Sequence, residues 1–172
     1  VGVFMAQLLF GEYDRAKAVN YAHLWAYGRN PAYYNFEGIG GDCTNFASQC
    51  LFAGTRVMNY TPTYGWFYIN ANKRSPAWSS VIYLYNFLTG NDGIGPYGRE
   101  CQIGEIQKGD LVQLIINEEH YQHTPVIVFI GENSDPDNIL VAAHSYDCDY
   151  KPLSGYNYKS IRFIHIEGFR HL

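Results

Sequence analysis

Cys43 stands in the run Gly40-Gly41-Asp42-Cys43-Thr44-Asn45-Phe46-Ala47-Ser48-Gln49-Cys50-Leu51, whose residue types and spacing suit nucleophilic chemistry. Phe46, Ala47, Cys50, Leu51 and Ala53 recur at helical spacing and Gly54 follows as a stop signal, so the pattern predicts a helix opening at Asp42-Cys43. A thiol in the first turn of a helix feels the positive end of the macrodipole, which favours thiolate and lowers its pKa. Gly40 and Gly41 let the backbone come close to a substrate. The competing reading of a single cysteine is a small hydrophobe in a core. What separates the two is a histidine able to serve as base.

His123 fits that need. It opens the apolar run Thr124-Pro125-Val126-Ile127-Val128-Phe129-Ile130, so it belongs at the rim of a sheet, where the start of a helix from another layer can meet it. A surface histidine satisfied by water is the plainer alternative. The returning segment Val141-Ala142-Ala143-His144-Ser145-Tyr146-Asp147 brings polar groups back towards His123, one of which would orient the imidazole. His144 and Asp147 are three apart, so strand alternation lets at most one of them face it. Asp147 is the stronger acceptor, but it lies in a polar run that reads as loop. His144 continues the apolar strand and is the preferred third residue. The backbone N–H of Cys43 is one oxyanion donor, and the hydroxyl of Tyr34, ahead of Tyr33, is the candidate second. Trp66, with Tyr64, Tyr68 and Trp78, is a candidate lining for a substrate groove. For Trp78, on a helical stripe, a core position is favoured.

A zinc site built from His120, His123 and His144 is the metal alternative. His120 and His123 point to opposite faces of an extended segment, and the chain has no His-Glu-x-x-His helix. No metal and no cofactor is therefore expected.

The elements that must carry these residues are legible in outline. The 172 residues suffice for one domain with a sizeable core, and residues 1–172 are read as a single unit. The 16 Tyr, 10 Phe and 3 Trp against 16% charged residues argue for a globular protein and against disorder. A net charge of −4 without a basic block argues against a nucleic-acid partner. No window approaches the roughly 18 apolar residues of a membrane span. The apolar segment Val1 to Phe10 lacks a charged leader region and reads as a packed N-terminal segment rather than a signal peptide. Four cysteines are too few for a disulfide framework. Cys43 and Cys50, on one helix face about 10 Å apart, cannot bridge.

Asp14 is a candidate cap for a helix reaching about Tyr27. The Cys43 helix follows, and a third begins near Ser75-Pro76 with Trp78, Val81, Ile82, Tyr85 and Leu88 on one stripe. Strands are expected over 111–116, 124–130, 139–143 and 160–166, the middle two forming a hairpin around Gly131 to Asn138. Helices first and an antiparallel meander second is an α+β layout.

Taken together, these motifs resemble the bacterial putative amidase domain family, relatives of the NlpC-like and CHAP-type cysteine peptidases of the papain-like group. The resemblance is carried by Tyr13-Asp14-Arg15, by Gly41-Asp42-Cys43-Thr44-Asn45-Phe46-Ala47-Ser48-Gln49-Cys50-Leu51, by Gly65-Trp66-Phe67-Tyr68 and Trp78-Ser79, and by Gly109-Asp110-Leu111-Val112-Gln113. It continues through His123-Thr124-Pro125-Val126-Ile127-Val128, Ala143-His144-Ser145 and Arg162-Phe163-Ile164-His165-Ile166. The motifs fall in family order over about nine-tenths of the chain. The resemblance implies a papain-like, NlpC-like fold with N-terminal helices packed on a C-terminal antiparallel sheet. It implies catalytic roles for Cys43 and His123, with His144 where NlpC-like enzymes place a second histidine. Asp42, beside the nucleophile, is a further candidate among the oxyanion and substrate contacts. The implied activity is thiol-dependent cleavage of an amide bond in bacterial cell-wall peptidoglycan through a thioester. The protein would then be a monomer, extracellular or at the cell envelope, or phage-encoded. Two other functions compete: a non-catalytic cell-wall-binding module, and an acyltransferase using the same Cys–His pair.

Overall fold

The computed structural model describes residues 7–172. The packed segment expected over residues 1–10 falls largely outside them. Its described end forms strand β1 (Leu9–Gly11), with the Leu9 and Phe10 side chains exposed. Helices α1 (Arg15–Trp25), α2 (Cys43–Thr55), α3 (Pro76–Ser79) and α4 (Val81–Gly90) lie in the first half, with the short hairpin β2 (Tyr68–Asn70) and β3 (Lys73–Arg74) between α2 and α3. The second half holds β4 (Gly95–Cys101), β5 (Leu111–Ile115), β6 (Val126–Ile130), β7 (Ile139–Ala143), β8 (Cys148–Pro152) and β9 (Ser160–His171). The main sheet is antiparallel in the order β1-β9-β5-β6-β7-β8, and β4 also pairs with the long strand β9. This is the α+β layout expected from the sequence.

Alternation along the strands divides the core in two. Leu111, Val126, Ala142 and Ile164 face the helices and pack with Phe46, Ala47, Leu51, Trp66, Trp78 and Leu84. Val112, Leu114, Ile127, Val141 and Phe163 face the other way, towards Ile106, Leu153 and Tyr156. Strands buried on both faces read as near-continuous apolar runs, as 126–130 does and as 111–116 does apart from the buried Gln113.

The helices depart from the sequence expectation at two points. The single third helix is two, because Ser80 is extended (φ −114°, ψ 130°) and its N–H closes the short α3 onto the Pro76 carbonyl. The break rotates the apolar stripe, so Leu84, Phe87 and Leu88 are buried while Ile82 is exposed. Gly54 does not stop its helix: α2 runs to Thr55, and Arg56 adopts the left-handed cap (φ 57°). Gly54 is instead where the segment that enters α1 meets α2. A Cβ there would lie 2.4 Å from the Tyr13 ring and 2.8 Å from the Asp14 carbonyl, so only glycine permits the contact. Asp14 does cap α1, accepting from the Lys17 N–H.

Two strands had no clear sequence signal. β4 carries two glycines and a proline, which weaken a strand reading. β8 begins inside the polar run Asp147-Cys148-Asp149, read from the sequence as loop. Among the described residues no helix is long and apolar enough to cross a membrane.

Candidate active site

Cys43 is the first residue of α2, with its side chain almost wholly buried. Each polar residue that follows it in the motif has a fixed partner, which explains why the run is polar yet helical. The Thr44 hydroxyl meets that of Thr124 at 3.1 Å, joining the helix start to the strand after His123. Asn45 donates to the Tyr34 carbonyl and to Asp42, and accepts from the Trp78 indole. Ser48 donates to the Trp78 carbonyl and accepts from the Trp66 indole. Gln49 accepts from the Tyr21 hydroxyl.

Asp42 precedes the helix but does not cap it with its side chain. Its buried carboxylate turns back instead and accepts from the Phe36 N–H (2.8 Å), Asn45 Nδ2 (2.8 Å) and His144 Nδ1 (2.5 Å). Burial alone pushes this acid up, but the His144, Phe36 and Asn45 donors outweigh it and hold Asp42 below its ordinary value. The Asp42 N–H donates to Ser145 Oγ, and Ser145 in turn donates to Glu37. At Gly41 (φ 97°) a side chain would crowd that same Ser145 hydroxyl.

His144 is therefore not the residue that orients His123. It stacks on Phe46, with ring centroids 4.1 Å apart, and its Nε2 lies 2.8 Å from the Trp25 carbonyl. Asp147 does not reach His123 either, because it is held by two bonds from Arg29 at 2.8 and 3.0 Å. The reason is strand parity. Val126 pairs with Ala142, and both face the helices. Counting by two puts His144 and Thr124 on that face, and His123 on the opposite one.

On that opposite face His123 is buried against Tyr156, with Nε2 at 3.4 Å from the phenol oxygen. Burial, reinforced by the Lys151 ammonium, lowers its pKa from 6.5 to about 4, so the imidazole is neutral at neutral pH. Sγ of Cys43 sits beside the extended segment that leads into β6, 3.9 Å from the Gln122 carbonyl and against the Thr124 N–H. It thus touches the backbone on both sides of His123, yet makes no hydrogen bond to the imidazole among the described residues. Burial pushes the Cys43 thiol up, and the donors from Thr124 and Thr44 offset it only in part. Burial thus works against the thiolate that the helix dipole favours.

The thiol opens on a cleft of about 340 Å³ lined by Gly41, Cys43, Thr44, Ser80, Tyr121 and Gln122 among others. Tyr34 does not line it. Its N–H donates to the Tyr68 hydroxyl and its half-exposed ring lies edge-on to Phe36, so Tyr34 acts through its backbone. Trp66 is fully buried between Trp78 and Phe87, because the bridge from Asn59 to Trp66 folds its loop inward. It is core, as is Trp78. Tyr64 is exposed but lines a separate cavity with Tyr83 and Asn86. His120 lies at the rim paired with Glu118, and among the described residues no three His, Cys, Asp or Glu side chains gather as metal ligands. Tyr156, Thr124 and Arg29 were missed from the sequence. Strand parity would have found Thr124, while Tyr156 follows the short β8 and carried no signal.

The buried neutral imidazole has a measurable consequence. His123 takes up a proton near pH 6.5 when unfolded and near pH 4 when folded. Because the unfolded state then binds more protons, stability is lost as pH falls through that window, by about 3 kcal/mol in all. Urea melts across it should show this slope in the wild type and its loss in His123→Asn. An unchanged slope in the variant would assign the acid sensitivity elsewhere.

A family model described as "Putative amidase domain" matches residues 12–166. A protein of Bacillus subtilis (strain 168), "Uncharacterized protein YhbB", is 33% identical over 169 residues, covering 90% of this chain and 50% of that protein. The chain thus spans about half the length of the curated relative it matches. No solved structure matches it.

Proposed function

The chain belongs to the putative amidase domain family, and from that membership and the geometry of the cleft we propose that it is a thiol amidase. Cys43 is the nucleophile and His123 its base, in a papain-like, NlpC-related arrangement. The observation that carries this reading is a thiol at a helix N-terminus, on the floor of a solvent-open cleft, touching the strand backbone on both sides of a buried neutral histidine. As the first residue of α2, Cys43 has a backbone N–H with no partner inside the helix, which makes it available as an oxyanion donor.

The free enzyme holds thiol and imidazole, so charge develops only as the reaction proceeds. Sγ bonds to the amide carbonyl carbon while the thiol proton passes to His123. The C–N bond then breaks, and His123 returns the proton to the leaving amine. Water adds to the thioester through the same base, releasing the acid and restoring the thiol. Apo hydrogen bonds of this kind are commonly long and tighten with substrate bound, which suits the missing direct contact between Cys43 and His123.

The proposed substrate is bacterial cell-wall peptidoglycan, with action outside the cell or at its envelope. The likeness of the motif order to NlpC-like and CHAP-type enzymes supports it, as does a cleft lined by Ser80, Tyr121 and Gln122 that suits a polar, extended peptide. Purified peptidoglycan digested with the protein and analysed by mass spectrometry tests this. Free lactyl-sugar ends are the expected result of cutting between sugar and peptide, and new amino-acid ends the result of cutting within the peptide. Undigested wall alongside hydrolysis of a simple peptide amide would overturn the substrate and keep the chemistry.

A further inference from the structure

With His144 and Asp147 engaged elsewhere, the orienting partner of His123 must be sought on its own face of the sheet. Three groups stand there in sequence. His123 Nε2 is 3.4 Å from the Tyr156 hydroxyl oxygen, and that oxygen is 3.5 Å from Cys148 Sγ. The Tyr156 backbone is tied to the Leu153 carbonyl, Leu153 is fully buried, and the Lys151 ammonium lies 3.9 Å from the centre of the Tyr156 ring. Cys148 is fixed by its pairing with Ala143 at the start of β8. The phenol is thus held from several sides.

We propose that Tyr156 is the positioning residue for His123, and that it works as the middle of a hydrogen-bonded chain from His123 Nε2–H through the Tyr156 hydroxyl to the Cys148 sulfur. This rests on the thiol amidase reading above. The direction of the bonds follows from counting protons. A neutral imidazole carries one N–H. Were the phenol to donate to Nε2, the proton would sit on Nδ1, and no lone pair would remain to accept from Cys43. With Nε2–H as donor, Nδ1 is the free base and the phenol's own proton needs an acceptor. The Cys148 sulfur supplies it. Burial keeps that phenol protonated, and the nearby Cys148 and Cys43 act in the same direction. A sulfur is a weak, neutral acceptor where other triads use a carboxylate. Such a chain selects the tautomer without strongly stabilising the imidazolium, in keeping with an imidazole that stays neutral.

Tyr156 contacts the His123 ring and the Lys151 ammonium of β8 acts on it, while Cys148 stands behind the Tyr156 hydroxyl and Cys43 lies against the backbone that flanks His123. The test is ¹⁵N NMR of the histidine side chains in the resting full chain at neutral pH, combined with steady-state kinetics. The wild type should show His123 as the Nε2–H tautomer. Tyr156→Phe should shift it towards Nδ1–H and lower kcat about 10- to 100-fold, with KM changed less than twofold. Cys148→Ala should move the tautomer the same way, and Cys148→Ser, which keeps an acceptor, should recover most of that loss. The Cys148 pair also keeps the test open if Tyr156→Phe folds poorly. A wild-type Nδ1–H tautomer overturns the proposal, as does Tyr156→Phe with unchanged tautomer and kcat. The tautomer is read without turnover, so its result stands apart from whether Cys43 is the nucleophile.

Discussion

Cys43→Ala should lower amide hydrolysis by about 10⁴-fold or more, because in the proposed mechanism the acyl intermediate forms on its sulfur. The substitution removes one buried sulfur, so the expected loss of stability is only about 1 kcal/mol, and the fold should persist by circular dichroism. Loss of activity with the fold intact is the outcome that supports a thiol mechanism. Wild-type turnover in the variant would end it. The raised pKa of the buried thiol adds a second readout. Alkylation of Cys43 by iodoacetamide should be slow at neutral pH and accelerate only above the ordinary thiol range. A fast reaction at pH 7 would show that the resting state is thiolate after all.

Asp42→Ala should be the most damaging change to stability near the site. It removes the acceptor of three donors, from Phe36, Asn45 and His144, and leaves His144, which is 1% exposed, without its carboxylate. Breaking a buried pair of this kind costs about 3–5 kcal/mol, or roughly 10 °C in Tm for a domain of this size. His144→Ala should produce a similar fall, and the double variant should be far less than the sum of the two. Equilibrium denaturation of the three variants measures it. If His144→Ala lowers kcat tenfold without changing stability, His144 acts in catalysis and the structural role given to it here fails.

The chain's local patterns carried most of the elements. The helical period from Phe46 to Ala53 announced α2 with Cys43 at its start, the apolar runs announced β5, β6 and β7, and the Gly131 to Asn138 turn announced the β6–β7 hairpin. Where glycine and proline interrupt a strand, as in β4, or polar residues begin one, as in β8, no local signal exists, because long-range pairing to β9 and β7 holds them. Gly54 shows the same limit. Its type suggested a helix end, and only the approach of Tyr13, just before the cap of α1, gives it its role. The site divides likewise. That Cys43 begins a helix and His123 lies in the extended segment that leads into β6 follows from residues near each of them. Which groups meet them does not, because a one-residue difference in strand parity sends a side chain to the other face of the sheet. That parity turned His144 to Asp42 and Phe46, and His123 to Tyr156. Depth in the fold then decided the protonation states. The helix dipole argued for a thiolate, but burial of the side chains raises the pKa of the Cys43 thiol and lowers that of the His123 imidazole, each change favouring the neutral form.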